Sequence, residues 1–426
     1  MAVFDDHPLR YALANELHAR PFPSIEVPAT VAFLAIKQPE GAAARDPEAD
    51  RAHLETLLDR HGAPHPQPGA THYHGALGRH WLRWESHTEF VSYTMISDGL
   101  SERTFDPADF NVFPGDWLAD MPGVRMTSAL IRVAAWKDKE TTREGINDWF
   151  VGESVAVARV LDDSAVVAGD FRIDQAGHQR FSVTVAPECG PRRVGRIVTR
   201  LCEIETYKAM SMLGFARARA LGDRMAALDA RLGRMIDAMA GRGQSAEDTL
   251  GELLDVSAEL EALVAQSSFR FGATAAYAKI VDQRIDVLRE VRFEGRQTFA
   301  EFMMRRYEPA MRTVRSTQAR LDAMAARARR AGELLRTRVD VERSAQNQAL
   351  LESMDRRAGM QLRLQKTVEG LSVVAISYYA VSLTGYLLYP LADVLGVSKG
   401  WITAGVTLPV VGLVWWAIRR LRKGME

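Results

Sequence analysis

The chain has 426 residues, 47% of them hydrophobic, and its 54 basic side chains balance 54 acidic ones. Such a balance creates no global field toward nucleic acid, so no nucleic-acid partner is expected. The two cysteines, Cys189 and Cys202, have neither a CxxC nor a metal-ligand spacing, and they read as ordinary reduced thiols.

The first seven residues have no basic segment followed by an apolar run, so no secretion signal is expected. Residues 7–21 read as a short amphipathic helix start. Its Glu16, His18 and Arg20 either converge on an anion or carboxylate, or dock on their own domain. A strand is predicted over 27–36, a helix over 46–60, a Pro/His/Gly surface loop over 61–69, and strands with period-two alternation over 80–96. Residues 125–136 form another strand candidate. Residues 155–160, 165–173 and 180–186 read as a meander, with Asp174-Gln-Ala-Gly177 as the turn between its last two members. The inference is an α/β domain over 1–190.

From 192 onward the composition turns to Ala, Arg, Leu, Met and Glu, and three helical passages are predicted: 192–240, 246–297, and 299 to the membrane. The break at 241–245 is a hairpin loop, and Pro309 either kinks the third passage or marks its start. No proline interrupts 313–371, so one helix can rise about 85 Å as a stalk. Residues 191–369 are thus a helical bundle and stalk.

Residues 370–392 and 400–418 are uncharged runs, each long enough for a bilayer core of about 30 Å. They read as a transmembrane hairpin over 370–418 with a basic tail over 419–426. Arg356, Arg357, Arg363 and Lys366 precede the first run, and Arg419, Arg420, Arg422 and Lys423 follow the second. The connecting loop offers Lys399 against Asp393, so both ends of the hairpin are expected on the cytoplasmic side. Tyr386, Tyr389 and Trp401 fall near the far interface, and Trp415 and Trp416 near the cytoplasmic one. The fold class is α+β: a cytoplasmic α/β domain, a long helical stalk and a two-helix hairpin.

Four sets of residues are candidates for function. Asn347, Leu351, Met354, Ala358, Gln361, Gln365, Val368 and Ser372 form a heptad seam that continues through Ala375, Tyr379, Ser382 and Tyr386. Polar groups along one side of a membrane helix line a water-filled path or serve helix packing, and either reading brings copies of the chain into a homo-oligomer. The second set lies in a histidine-rich stretch containing His61, His65, His72, His74, His80 and His87. If Glu85, His87 and Glu89 share one strand face they can bind a divalent metal; a solvated face explains the same residues. The third is the N-terminal Glu16, His18 and Arg20. The fourth, Gly195, Arg196, Arg200, Glu203 and Tyr207, lies at helical spacing and reads as a buried network at the domain junction. The arginines between 305 and 343 suggest a solvated stalk or a protein-partner surface. Walker, GxGxxG, GxSxG and kinase patterns are missing, so an enzyme reading has no anchor.

Several stretches together resemble an uncharacterised family of membrane-anchored proteobacterial proteins, a domain of unknown function: Asn15-Glu-Leu-His-Ala-Arg-Pro-Phe22, Trp84-Glu-Ser-His-Thr-Glu-Phe90, Asp170-Phe-Arg-Ile173, Glu203-Ile-Glu-Thr-Tyr207 and Thr367-Val-Glu-Gly-Leu-Ser-Val-Val-Ala-Ile-Ser-Tyr-Tyr379. The resemblance implies anchoring in the bacterial inner membrane. The build also resembles the pentameric CorA-type magnesium channels, which carry a Gly-Met-Asn signature at the outer end of the first span. Here that place reads Thr384-Gly385-Tyr386-Leu387-Leu388-Tyr389-Pro390, with the glycine retained and the asparagine missing. Asp393 would then stand in as an outer carboxylate ring. This resemblance implies a homo-oligomer that conducts or senses a divalent cation, with Tyr379, Ser382, Gly385 and Tyr386 lining the path. The alternatives are a non-conducting membrane-anchored scaffold or regulatory binding protein, and a tethered metal-dependent hydrolase using Glu85, His87 and Glu89.

Overall fold

The computed structural model describes residues 6–16, 22–39, 45–240, 245–395 and 398–423. A short helix α1 (Arg10–Glu16) precedes β1 (Ala29–Lys37), α2 (Pro47–Asp59), β2 (His72–Leu77), β3 (His80–Ser86) and β4 (Phe90–Asp98). A 3-10 turn (Pro107–Val112), α3 (Gly115–Ala119), β5 (Val124–Ala135), α4 (Lys139–Trp149), β6 (Ala156–Val160), β7 (Ala165–Gly169) and β8 (Gln179–Val185) follow. The rest is α5 (Pro191–Ala240), α6 (Ala246–Asp286), β9 (Val291–Arg292), α7 (Phe299–Arg306), α8 (Glu308–Leu395) and α9 (Lys399–Lys423).

The chain is therefore mixed α+β, as expected. Among the described residues the strands form one nine-stranded sheet, ordered β2-β3-β4-β1-β5-β8-β7-β6-β9. β5 and β8 run parallel, and the other paired neighbours are antiparallel. After β5, α4 carries the chain to β6, and the β6-β7-β8 meander returns it to lie beside β5.

Local chemistry accounts for the element ends. Asp46 caps α2 by accepting from the Glu48 amide at 2.9 Å, with Pro47 in the first turn where its missing donor costs nothing. Asp174 accepts from the amides of Ala176 and His178, both at 2.9 Å, and Gly177 takes the left-handed φ of +89° that closes the turn before β8. Thr298 and Glu301 form a reciprocal capping box at the start of α7.

Elements absent from the sequence reading have weak local signals. β2 contains Gly75 and two histidines and is held by its pairing with β3, while α4 carries Thr, Gly and Asn and draws its start from the Asp138 cap on Thr141. The second helical passage stops at Asp286 rather than running to 297. The intervening residues supply β9, which pairs with β6, and Glu290 accepts from the Phe299 and Ala300 amides at 2.9 and 2.8 Å to lead the chain into α7. Pro309 marks a helix start, being the second residue of α8.

Two compact units emerge: Met1–Gly243 with Gly251–Ala331, and Gln244–Leu250 with Gly332–Glu426. In the first unit one sheet face packs Leu34, Ile36, Trp84 and Tyr93 against Leu54, Leu57, Phe113, Trp117 and Ile146. α5 packs against β5 and β8, and the strand positions alternating with that core meet helical residues. Thr127 of β5, for example, donates to Glu205 of α5 at 3.0 Å. Leu221, Met225 and Leu228 of α5, Val256, Leu260 and Leu263 of α6 and Leu321, Met324 and Ala328 of α8 are buried. Arg320 and Arg327 reach Asp229 at 2.9 and 2.8 Å.

In the second unit Arg343 pairs with Glu247 at 2.8 Å. α8 and α9 include two helices' worth of sequence long and apolar enough to cross a membrane. Each has one partly covered stripe, Val373, Ser377, Ala380, Val381, Thr384, Gly385 and Leu388 on α8 and Ile402, Val406, Val410, Val414 and Ile418 on α9. Recurrence at three to four residues makes each stripe a single helix face, as expected of two helices lying side by side.

Candidate functional site

Strand alternation sends Leu82 and Trp84 of β3 into the apolar core and Arg83 and Glu85 to the face toward α5. β3 ends at Ser86, however, and His87–Glu89 form the turn into β4. Arg83, Glu85 and His87 nevertheless line one small pocket toward α5, whereas Glu89, beyond the strand end, turns to α6. Glu85 accepts from Arg83 at 2.8 Å, and the His87 ring stacks on Phe90 with centroids 4.3 Å apart. Glu89, only 2% exposed, accepts from the Tyr277 hydroxyl at 2.9 Å and pairs with Arg270. Among the described residues no group of three or more His, Cys, Asp or Glu side chains is arranged to hold a metal ion.

What the fold builds at this turn is a buried charge cluster. Lys37, at the end of β1, is buried and donates from Nζ to the Gln38 carbonyl at 2.7 Å. Burial lowers its pKa, the Arg270 charge lowers it further, and Glu89 pulls the other way. Burial, followed by the neighbouring Glu89, pushes the Tyr277 phenol up and keeps it a neutral donor. Two cations thus surround one carboxylate.

Beside the cluster lies a cleft of about 820 Å³ whose walls include Arg45, Thr71, His87, Tyr207, Phe269 and Tyr277. Tyr207 and Tyr277 stack at 5.5 Å, and Tyr207 meets Phe90 edge-on at 5.9 Å. Arg45 is tied to Ser86 at 2.7 Å and Asp50 at 3.3 Å. Burial raises the Asp50 pKa, with Arg45 opposing. The cleft offers ring faces and hydroxyl edges.

A second polar group has the composition of a catalytic triad without its geometry. The His80 Nδ1 lies 2.7 Å from the Ser97 hydroxyl in a cleft that also contains Asp98, but Arg79 Nε donates to His80 Nε2 at 3.3 Å. Nε2 must then be the acceptor, so the neutral ring carries its proton on Nδ1 and donates to Ser97 instead of activating it.

The remaining candidates separate. Within the fourth set Arg200 reaches Glu203 at 3.3 Å, with Arg284 of α6 also reaching it at 2.7 Å, and Tyr207 lines a small pocket beside Glu203 as well as the cleft. Arg196 and Arg200 lie over the Phe22 ring at 5.5 and 5.2 Å. A Cβ on Gly195 would sit 1.8 Å from the Pro23 carbonyl oxygen, so glycine permits this close approach of residues 22–25 to α5. His18, Arg20 and the Glu16 side chain lie outside the described residues. The stalk residues Asn347, Leu351, Met354, Gln361 and Gln365 are exposed. Tyr379 and Tyr386 are also exposed, Ser382 is half-buried, and Gly385 lies in the covered stripe. The Asp393 and Tyr389 side chains are outside the described residues.

Lys37, Arg270 and Tyr277 escaped the sequence reading because pairing across 181 and 188 positions brings the α6 residues to Glu89. The one local hint is that Arg270 and Tyr277 stand seven apart, on one face of α6.

A mixed α+β unit with long helices and two apolar helices able to cross a membrane defines the class of protein. The chain belongs to the family described as "Protein of unknown function (DUF3422)", whose sequence model matches residues 5–425. No curated protein and no solved structure shows a significant match.

Proposed function

We propose that this is a membrane-anchored protein of CorA-like build that self-associates through α8 and binds a small ligand in the cleft of its sheet unit. The observation that carries the self-association is the relation between two faces of α8. Tyr379 and Tyr386 each stand two residues from a member of the covered stripe, Ser377 and Thr384, and two residues is slightly more than half a turn. The uncovered side therefore opposes the covered stripe. It continues through Val368, Gln361, Met354 and Leu350, all exposed. Apolar and amide groups over so long a face favour burial against copies of the same helix. The basic flanks of both spans support a hairpin whose two ends face the cytoplasm of a bacterial inner membrane.

Particle symmetry of the full-length protein in a nanodisc tests this reading. A ring or dimer with α8 at its axis, together with disulfide cross-linking of Met354→Cys between copies, supports it; a monomer under the same conditions refutes it.

Conduction of a divalent cation is a second reading, favoured by Tyr379, Ser382 and Tyr386 lying toward the uncovered side of the span. Ser382→Leu should then abolish flux in proteoliposomes without changing the oligomer. Absence of flux in the parent oligomer leaves the scaffold or regulatory binding role.

A further inference from the structure

We infer that the cytoplasmic end of the hairpin is a binding site for the phosphodiester headgroup of an anionic phospholipid. The inference rests on the membrane-spanning reading of α8 and α9 and adds the lipid class to it. The covered stripe of α8 continues toward the N-terminus through Lys366, Arg363 and Arg356, reached from Val373 in steps of seven, three and seven residues. These basic groups therefore lie on the same side of α8 as its covered stripe.

α9 does not extend far enough to cover them. Two antiparallel helices joined by a connection this short place the end of α9, Lys423, roughly level with Leu371 of α8. Lys366 and Arg363 then lie about 7 and 12 Å further along at 1.5 Å per residue. The headgroup layer on each side of the hydrocarbon is about 5–8 Å thick, so these side chains reach the depth of the lipid phosphates.

The end of α9 adds further basic groups at the same depth, on exposed positions outside its own covered stripe. Arg419 lies over the Trp415 ring at 5.0 Å and Arg420 over Trp416 at 5.2 Å. An indole at the interface holds each guanidinium at headgroup level and leaves its N–H groups to donate. Between residues 356 and 369 and again between 419 and 423 there are eight basic side chains against one acid, Glu369, which accepts from Gln365 at 3.2 Å. Guanidinium forks match phosphate oxygens in pairs, and each basic group near an anionic surface is worth about fivefold in attraction.

The test compares full-length protein in nanodiscs of phosphatidylcholine alone and of phosphatidylcholine with phosphatidylglycerol, reading the retained lipids by native mass spectrometry. The parent should insert in both and retain phosphatidylglycerol about tenfold or more above its bulk share, two fivefold contacts being enough. The variant R363Q/K366Q/R419Q/R420Q should insert equally and lose the enrichment. The charge-matched control R305Q/R312Q/R330Q/R336Q, altered away from the hairpin, should keep it. Normal insertion with lipids at their bulk ratio, or enrichment that survives in the first variant or disappears in the control, overturns the lipid site alone. Failure of the parent to insert in either bilayer overturns the membrane reading and the site with it.

Discussion

Replacing Glu89 by alanine tests the buried cluster directly. In the parent the carboxylate is 2% exposed, holds Arg270 and accepts from Tyr277, and is the attraction that opposes Arg270 at Lys37. Removing it leaves Arg270, whose side chain is 16% exposed, without its counter-ion and facing a second buried cation. Breaking such a pair from one side costs about 3–5 kcal/mol, because the orphaned charge stays desolvated. At about 2 °C per kcal/mol for a protein of this size, the thermal midpoint should fall by roughly 6–10 °C. The assay is intrinsic tryptophan fluorescence of the full-length protein, scanned at one rate in one detergent. The double variant Glu89→Ala with Arg270→Met removes both charges and should recover most of the loss, giving a coupling of at least about 1 kcal/mol. A single variant within about 0.5 kcal/mol of the parent, or a double variant as unstable as the sum of its parts, would refute the reasoning.

Acidification should destabilise the sheet unit below pH 6.5, since burial holds His53, His74, His80 and His178 below that ordinary value. Their neutral-state contribution is full above 6.5 and is lost as pH falls through the folded pKa, because there the unfolded chain binds protons that the folded chain excludes. The slope is at most about 1.4 kcal/mol per pH unit for each histidine. His53→Gln should flatten part of it in urea titrations at several pH values; a slope unchanged by that variant would reject the assignment. Gly195→Ala should cost about 1–3 kcal/mol by forcing Pro23 off α5, seen as faster proteolysis near residue 22, and unchanged cleavage would count against the close contact. Ser377→Leu, at a position 6% exposed, should loosen the hairpin by about 1–3 kcal/mol, whereas Tyr379→Leu should leave the monomer fold intact and alter only self-association. Equal effects of the two on hairpin stability would undo the distinction between the faces.

Strands β1 and β5, helix α2 and the β6-β7-β8 meander were legible because their periodicities and end signals are local. The strong apolar runs at the C-terminus were legible for the same reason. The pairing order of the sheet was not, and neither was the turn at His87–Glu89, where Ser86-His-Thr-Glu89 carries no glycine or proline to announce it. That one turn directs Glu89 to α6, away from the pocket that Glu85 and His87 line. The charge cluster was invisible for a different reason. Lys37 sits at a strand end and Arg270 on an amphipathic helix, positions that ordinarily face water, and only helical cover of the second sheet face buries them.

That cover also explains why the cleft and the charge cluster occur together. A sheet with one open face can leave its alternate polar side chains solvated, but here those positions meet helices and must find partners. Glu89 found them on α6, in Arg270 and Tyr277, and the same helix supplies Phe269 and Tyr277 to the cleft wall. Tyr277 belongs to both, its ring stacked on Tyr207 and its hydroxyl on Glu89. A displacement of α6 that changed the width of the cleft would pull Tyr277 from Tyr207 and Arg270 from Glu89 at once. Width is therefore held by a buried ion pair whose rupture costs several kcal/mol, so the cleft should stay in one form until an occupant offers differential binding energy of that size.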